Sequence, residues 1–209
     1  MIISIVGKSG SGKSTIARTL STLDERMLHV DIDQISHQVL TFKEVQEALQ
    51  NTFGTDVVMD GEVQRKVLGQ IVFTTPEQMQ KLTDITWHHM EKIIDSIIEN
   101  NPNKIILLDY LLLPKTKYFE QSHLKIWVDA PYEVRVERVI KRAIQERNVT
   151  RDYFQKRDRA GIDYEEGKYD IVINNINKEK TQEEVKKVYE KSILRRKFWP
   201  NHKRTFKCN

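Results

Sequence analysis

Gly7-Lys8-Ser9-Gly10-Ser11-Gly12-Lys13-Ser14-Thr15 fits the pattern G-x-x-x-x-G-K-[ST] without a mismatch. Ile2-Ile3-Ser4-Ile5-Val6 before it is short, apolar and β-branched, as a buried strand is. Thr15-Ile16-Ala17-Arg18-Thr19-Leu20 after it carries apolar residues at helical spacing. Strand, glycine loop and helix is the setting in which this pattern cradles phosphates. Gly7, Gly10 and Gly12 let the backbone turn where a side chain is forbidden and approach an anion closely. The loop N–H groups and the helix N-terminus then face that anion. Residues Gly7 through Thr15 are therefore the expected nucleotide-binding set. Lys13 places a point charge at the β- and γ-phosphates, and the Ser14 hydroxyl is placed to ligate Mg²⁺.

Working outward, Leu28-His29-Val30-Asp31-Ile32-Asp33 reads as a second strand ending in two acids. Phe42 to Phe53 has the helical period, with Gly54 as its stop. Asp60-Gly61 is a turn, and a further helical stretch runs from about Glu62 to Phe73. Thr75 as N-cap and Pro76 at the first helical position start a long helix. Its apolar face takes Met79, Leu82, Ile85, Met90, Ile93, Ile94 and Ile97. Lys104–Asp109, Leu124–Asp129 and Tyr169–Asn174 read as three more strands. Pro131 opens a helix between the last two, carrying Val134, Val139 and Ile140. Thr181-Gln182-Glu183-Glu184 reads as the capping box of a final helix. Buried strands alternating with helices predict a five-stranded parallel sheet in an α/β fold, with ligands beyond the carboxyl ends of the strands. Asp31, Asp33 and Asp109 all fall at such ends.

The chain has 209 residues, enough for one elaborated domain, with 31% charged and 39% hydrophobic residues. Its net charge of +4 suits anionic small molecules, and an ordinary basic enzyme needs nothing more. The one cysteine, Cys208, excludes an internal disulfide, which fits a reducing cytoplasm. With the first strand starting at Ile2, no signal peptide is expected. The apolar runs near Ile105–Leu108 and Leu111–Leu113 are too short to span a bilayer. The basic C-terminal residues Arg195-Arg196-Lys197 and Lys203-Arg204 read as a solvated tail, so no nucleic-acid partner is expected.

Phosphoryl transfer needs a metal, an acceptor held in line and cations on the developing charge. Asp109 ends an hhhhD run and is the expected metal-reaching carboxylate, with Ser14; a turn-capping carboxylate is the alternative. Asp31 and Asp33 alternate if their strand persists, so only one faces the phosphates and takes the acceptor proton. Arg135, Arg138 and Arg142 share a helix face at i, i+3, i+7, and Arg147, Arg151, Arg157 and Arg159 follow. They read as a lid closing on phosphates, or as a solvated face. His88 and His89 point about 100° apart on their helix, a poor chelate, so substrate contact or a surface role is expected. Trp127 is expected in the core.

Together these stretches resemble the dephospho-CoA kinases. Asp31-Ile32-Asp33-Gln34-Ile35-Ser36-His37 is similar to the family's D-x-D-x-I-x-[HR] segment. Phe53-Gly54, then Asp60-Gly61-Glu62-Val63-Gln64-Arg65-Lys66-Val67-Leu68 and Ile71-Val72-Phe73, resembles its F-G…D-G-x-[IL]-x-R-x-x-L…[IV]-F block. Val128-Asp129-Ala130-Pro131, Glu137-Arg138, Lys141-Arg142 and Asp170-Ile171-Val172-Ile173-Asn174-Asn175 also follow the family. There are departures: Lys8 stands at a family glycine and His89 at a family proline. Leu111-Leu112-Leu113-Pro114-Lys115 stands where the family has P-L-L-[FW]-E, and a family glutamine is not evident around Gly161.

The resemblance implies a P-loop kinase: a core of about 1–33, 104–140 and 169–195, a helical acceptor-binding region of about 34–103, and a lid of about 141–168. It implies phosphorylation of the ribose 3′-hydroxyl of dephospho-CoA by Mg-ATP. Asp33 would be the catalytic acid of the D-x-D pair and Arg142 the lid arginine; Lys13 completes the catalytic set. Asp33, His37, Arg65 and His88 would contact the acceptor. The rivals are another small-molecule kinase on the same scaffold, for a nucleoside or nucleoside monophosphate, and a nucleotide-binding protein without transfer activity.

Overall fold

The computed structural model describes residues 1–146, 154–155, 158, 164 and 167–194, the side chains of 143–146 excepted. Most of the expected lid, with Arg147, Arg151, Arg157, Arg159 and Gly161, and the basic tail from Arg195 through Cys208 lie outside the described residues.

Five parallel strands make the central sheet: β1 (Ile2–Val6), β2 (Met27–Asp31), β5 (Ile105–Asp109), β6 (Leu124–Asp129) and β7 (Ile171–Asn174), in the order β2-β5-β1-β6-β7. A separate two-stranded ribbon, β3 (Val58–Met59) with β4 (Glu62–Val63), is antiparallel. Every residue of β5 is buried, which accounts for its unbroken apolar run. The register aligns Asp31 with Asp109, Asp109 with Ile5, and Asp129 with Asn174, so the strands finish along one edge.

Alternation along the strands sorts side chains to two faces. Ile3, Ile5, Leu107, Ile126, Val128 and Ile173 pack with Ile16, Ala17 and Leu20 of α1 (Lys13–Ser21) and with Val185 and Val188 of α8 (Lys178–Val188). The opposite face holds Val6, Val30, Ile106, Leu108 and Trp127. It is covered by α2 (Ile32–Val39), α3 (Lys43–Phe53), α4 (Arg65–Val72), α5 (Pro76–Asn100) and α6 (Lys117–Gln121). Trp127 is core, as expected. Helix α5 starts on the Thr75 cap, whose side chain accepts from the Gln78 N–H, with Pro76 next; Met90 and Ile94 are its buried apolar centre. Among the described residues no helix is long and apolar enough to cross a membrane.

Several local expectations change. The second strand stops at Asp31, because the Asp31 carboxylate accepts the Gln34 N–H at 3.3 Å and starts α2. Asp33 is therefore in a helical first turn, and the two acids do not alternate on a strand. The stretch from Glu62 is a strand before it is a helix. Asp60 (φ 51°) and Gly61 (φ 74°) close the β3–β4 ribbon as a two-residue turn with both φ positive. The last helix starts at Lys178 on the Asn177 cap, three residues before the expected capping box. Thr181 is thus interior, and its hydroxyl donates to the Asn177 carbonyl at 2.7 Å. Among the described side chains of α7 (Tyr132–Glu146), Arg135 and Val136 are buried, and Val134, Val139 and Ile140 are half-buried.

Candidate active site

The glycine loop joins the carboxyl end of β1 to the N-terminus of α1, at the middle of the sheet. Gly10 (φ 80°) and Gly12 (φ 96°) hold the left-handed conformations that a side chain disfavours. Packing makes the same demand. A Cβ on Gly12 would stand 2.1 Å from the Asn175 amide nitrogen, and one on Gly10 would stand 2.6 Å from the Arg135 carbonyl. Lys8 has no positive φ, so the loop accepts a side chain there.

Outward from the loop, its carbonyls are already engaged. Asn175 Nδ2 donates to the Ser11 carbonyl at 2.7 Å, and Arg135 Nη1 to that of Ser9 at 3.2 Å. Arg138 Nη1 makes longer contacts with Gly10 and Ser11, at 3.5 and 3.4 Å, and its Nη2 donates to the Asn175 carbonyl at 2.9 Å. Carbonyls drawn off to one side suit a loop whose N–H groups serve an anion on the other. Lys13 is buried in the first helical turn, while Ser14 and Thr15 are progressively more open. Ser11 is buried, with its hydroxyl unpartnered inside the loop.

Beside the loop, period-two alternation puts His29, Asp31 and Asp109 on the sheet face that carries α1. Asp109 is 2% exposed, and its Oδ2 lies 3.2 Å from His29 Nε2. Among the described residues no cluster of three His, Cys, Asp or Glu side chains forms a metal cage. Ser14 and Asp109 are hard oxygen donors, and that set fits Mg²⁺ arriving with a polyphosphate, since Mg²⁺ is usually held by one or two protein groups plus phosphate oxygens and water.

Asp33 and His37 are exposed and lie at i, i+4 on α2, sharing a face. Helix α2 packs on α5, where His88 is exposed. His89 is turned to Glu44 at 3.2 Å and edge-on to Phe42, and its ring also meets that of His88 edge-on, with centroids 5.6 Å apart. Tyr110, immediately after Asp109, stacks on Trp87 with ring centroids 6.4 Å apart. Burial and the nearby Asp33 charge push its phenol well above the usual tyrosine range. Asp33 is thereby placed near the end of β5, while Arg65 is exposed at the start of α4, which also packs on α5.

The helix-face reading of the arginines divides. Arg135 is buried and ion-paired with Asp158, Arg138 is spent on loop carbonyls, and Arg142 is exposed with Nε on the Arg138 carbonyl at 3.3 Å. Burial, and then the Arg142 charge, lowers the Arg138 pKa. Sequence reasoning missed Asn175, Thr181 and His29 as parts of the site. Asn175 stood within a quoted motif, but its loop partner Ser11 is 164 residues away in sequence and no local pattern reports it.

A family model described as dephospho-CoA kinase matches residues 1–181. Dephospho-CoA kinase of Aquifex aeolicus (strain VF5) is 35% identical over 194 residues, covering 90% of this chain and 95% of that one. Its counterpart from Dehalococcoides mccartyi is 32% identical over 181 residues, covering 83% and 88%. The crystal structure of TT1252 from Thermus thermophilus superposes with a TM-score of 0.76 at 26% identity, over 91% of this chain and 96% of that one. With the loop, sheet order and acidic segments in place and the match running through almost the whole sequence, the chain belongs to the dephospho-CoA kinase family.

Proposed function

We propose that the protein transfers the γ-phosphoryl group of ATP to the ribose 3′-hydroxyl of dephospho-CoA, giving coenzyme A and ADP. The observation that carries this reading is the glycine loop, with its Ser9 and Ser11 carbonyls engaged by Arg135 and Asn175, in a chain of this family. The loop from Gly7 to Thr15 would hold the phosphates through N–H groups, with the Lys13 ammonium on the β/γ oxygens. Asp33 would accept the proton of the 3′-hydroxyl as its oxygen bonds to the γ-phosphorus and ADP departs. Ser14 and Asp109 would hold Mg²⁺, which when bound neutralises charge on the β- and γ-oxygens. Arg142 would meet the charge that spreads over the transferred group. His37, Arg65 and His88 would contact the acceptor, within the helical region of about 34–103. The segment of about 141–168 would act as lid. A chain whose one cysteine permits no internal disulfide suits the cytoplasm.

The test is ADP release with a panel of acceptors. Dephospho-CoA should give the highest kcat/KM, and Lys13→Ala should abolish turnover. A nucleoside or nucleoside monophosphate preferred by tenfold, about 1.4 kcal/mol of transition-state binding, would reassign the acceptor and keep the kinase.

A further inference from the structure

Arg135 stands out among the cations around the loop because it is buried and an acid, Asp158, pairs with its guanidinium. The residue is 5% exposed. Its Nε donates to the Ala130 carbonyl at 3.1 Å, at the entry to α7. Nη1 donates both to the Ser9 carbonyl, 3.2 Å away, and to Asp158 Oδ1 at 2.5 Å. Nη2 completes a bidentate pair with Asp158 Oδ2 at 3.1 Å. Tyr132 and Phe154 rings flank the group, with centroids 5.6 and 5.9 Å from its central carbon. Phe154 is itself buried, so residues 154 and 158 are fixed against α7. The backbone of Arg135 also borders Gly10, leaving no room for a Cβ.

A buried guanidinium beside an anion-binding loop would ordinarily turn to the anion. Here Asp158 neutralises it and sets the fork so that one N–H reaches the Ser9 carbonyl. We propose that Arg135 and Asp158 are positioning residues for nucleotide binding: Asp158 orients Arg135, and Arg135 holds the Ser9–Gly10 turn in its anion-receiving shape. This rests on the nucleotide-binding reading of the loop. Neither residue touches the substrates. Lysine cannot replace the arginine, because one ammonium lacks the planar fork that serves Ala130, Ser9 and both Asp158 oxygens together.

The experiment is calorimetric titration of the full-length protein with ATP, together with separate KM values for ATP and dephospho-CoA and the melting temperature of the nucleotide-free protein. Asp158→Asn keeps the shape of the side chain and removes its charge. It should raise the ATP Kd about tenfold, the scale of coupling between groups in contact. The dephospho-CoA KM should stay within about twofold, since no acceptor group is reached by this network. Arg135→Gln and Arg135→Lys should weaken ATP at least as much as Asp158→Asn, and Arg135→Gln/Asp158→Asn should be no worse than Arg135→Gln. An unchanged or tighter ATP Kd in Asp158→Asn overturns the proposal, the tighter case marking Arg135 as a phosphate ligand held back by Asp158. Wild-type affinity in Arg135→Lys also overturns it. Equal weakening of both substrates alongside a lowered melting temperature assigns the pair to stability alone and overturns it too. If the wild-type protein fails to bind ATP, the nucleotide reading itself falls; if it binds and Asp158→Asn does not differ, only the positioning role falls.

Discussion

Asn175 Nδ2 donates to the carbonyl of Ser11 at 2.7 Å, joining the end of β7 to the glycine loop that follows β1. The other amide atom, Oδ1, lies 3.2 Å from the Thr181 hydroxyl, whose one proton it shares with the nearer Asn177 carbonyl at 2.7 Å. Asn175 is 8% exposed, so water cannot readily replace it. Asn175→Ala would take the 2.7 Å donor from the Ser11 carbonyl, at a cost of about 1–3 kcal/mol, while the Thr181 hydroxyl keeps the Asn177 carbonyl at 2.7 Å. Part of that cost falls on the shape of the loop. The expected result is an ATP Kd raised by about tenfold or more, read by titration, with a melting temperature lowered by a few degrees. Asn175→Asp presents an acceptor to an acceptor and should be at least as damaging. Unchanged ATP affinity in both variants would remove Asn175 from the site.

The two acids of the second motif now have separate duties. Asp31 caps α2 through the Gln34 N–H, whereas Asp33 is exposed beside the end of β5. Asp33→Asn should lower kcat by ~10²–10⁴-fold, the usual worth of general-base catalysis, with the ATP Kd nearly intact. Asp31→Ala should instead cost ~1 kcal/mol of stability, the worth of a cap, with turnover much less affected. Steady-state kinetics and thermal melts of the two variants separate the roles. A larger loss of turnover from Asp31→Ala would transfer the base to Asp31.

The fold was legible because its signals are local. The apolar, β-branched run Ile2–Val6, the glycine spacing and the Thr75-Pro76 start each report on a few neighbouring residues, and the five strands follow in order. The errors have local causes as well. An aspartate that ends a strand reads like one that continues it until its cap partner is seen, and Thr181-Gln182-Glu183-Glu184 mimics a cap although Asn177 already serves. What was legible of the candidate site is the shape of the glycine loop, where the spacing of Gly7, Gly10 and Gly12 matches positive φ angles and close packing. It was not legible where parts meet across the sheet. A shared helix face at i, i+3, i+7 made Arg135, Arg138 and Arg142 look alike. Only the packing of α7 on the loop shows that the first is buried, the second engaged and the third open.

His29 and Asp109 meet between β2 and β5, with Nε2 to Oδ2 at 3.2 Å. The contact holds one carboxylate oxygen and leaves the other as the candidate ligand for Mg²⁺. Groups that orient a ligand in this way typically change metal affinity by about 10–100-fold when removed. His29→Ala should therefore raise the Mg²⁺ concentration giving half-maximal turnover by that order, at saturating ATP. Asp109→Asn should raise it further and lower the maximal rate. A Mg²⁺ titration of both variants checks this. Identical curves for wild type and Asp109→Asn would leave the carboxylate a purely structural strand-end group.

Arg138 and Arg142 are four residues apart on α7, and their surroundings predict opposite phenotypes. Arg138 reaches Gly10, Ser11 and the Asn175 carbonyl, so its loss disturbs the loop before any chemistry begins. Burial has lowered its pKa, and the neighbouring Arg142 charge lowers it further, so it is held against an electrostatic cost that its carbonyl contacts offset. Arg138→Ala should weaken ATP binding by about tenfold and lower the melting temperature, the cost of leaving buried carbonyls unpaired being about 1–3 kcal/mol. Arg142 is exposed, and its loss leaves no buried group behind. If it stabilises the charge developing on the transferred phosphoryl group, its contribution appears only in the transition state, on the order of 10³–10⁵ in kcat. Arg142→Ala should thus cut kcat steeply while the ATP Kd and the melting temperature stay near wild type. Removing it also relieves Arg138 of a like charge, which works against any loss of stability. Titration, melting and single-turnover measurements on the two variants give the comparison. A wild-type kcat in Arg142→Ala would return that residue to a solvated helix face and move the search for the phosphoryl-stabilising cation elsewhere in the chain.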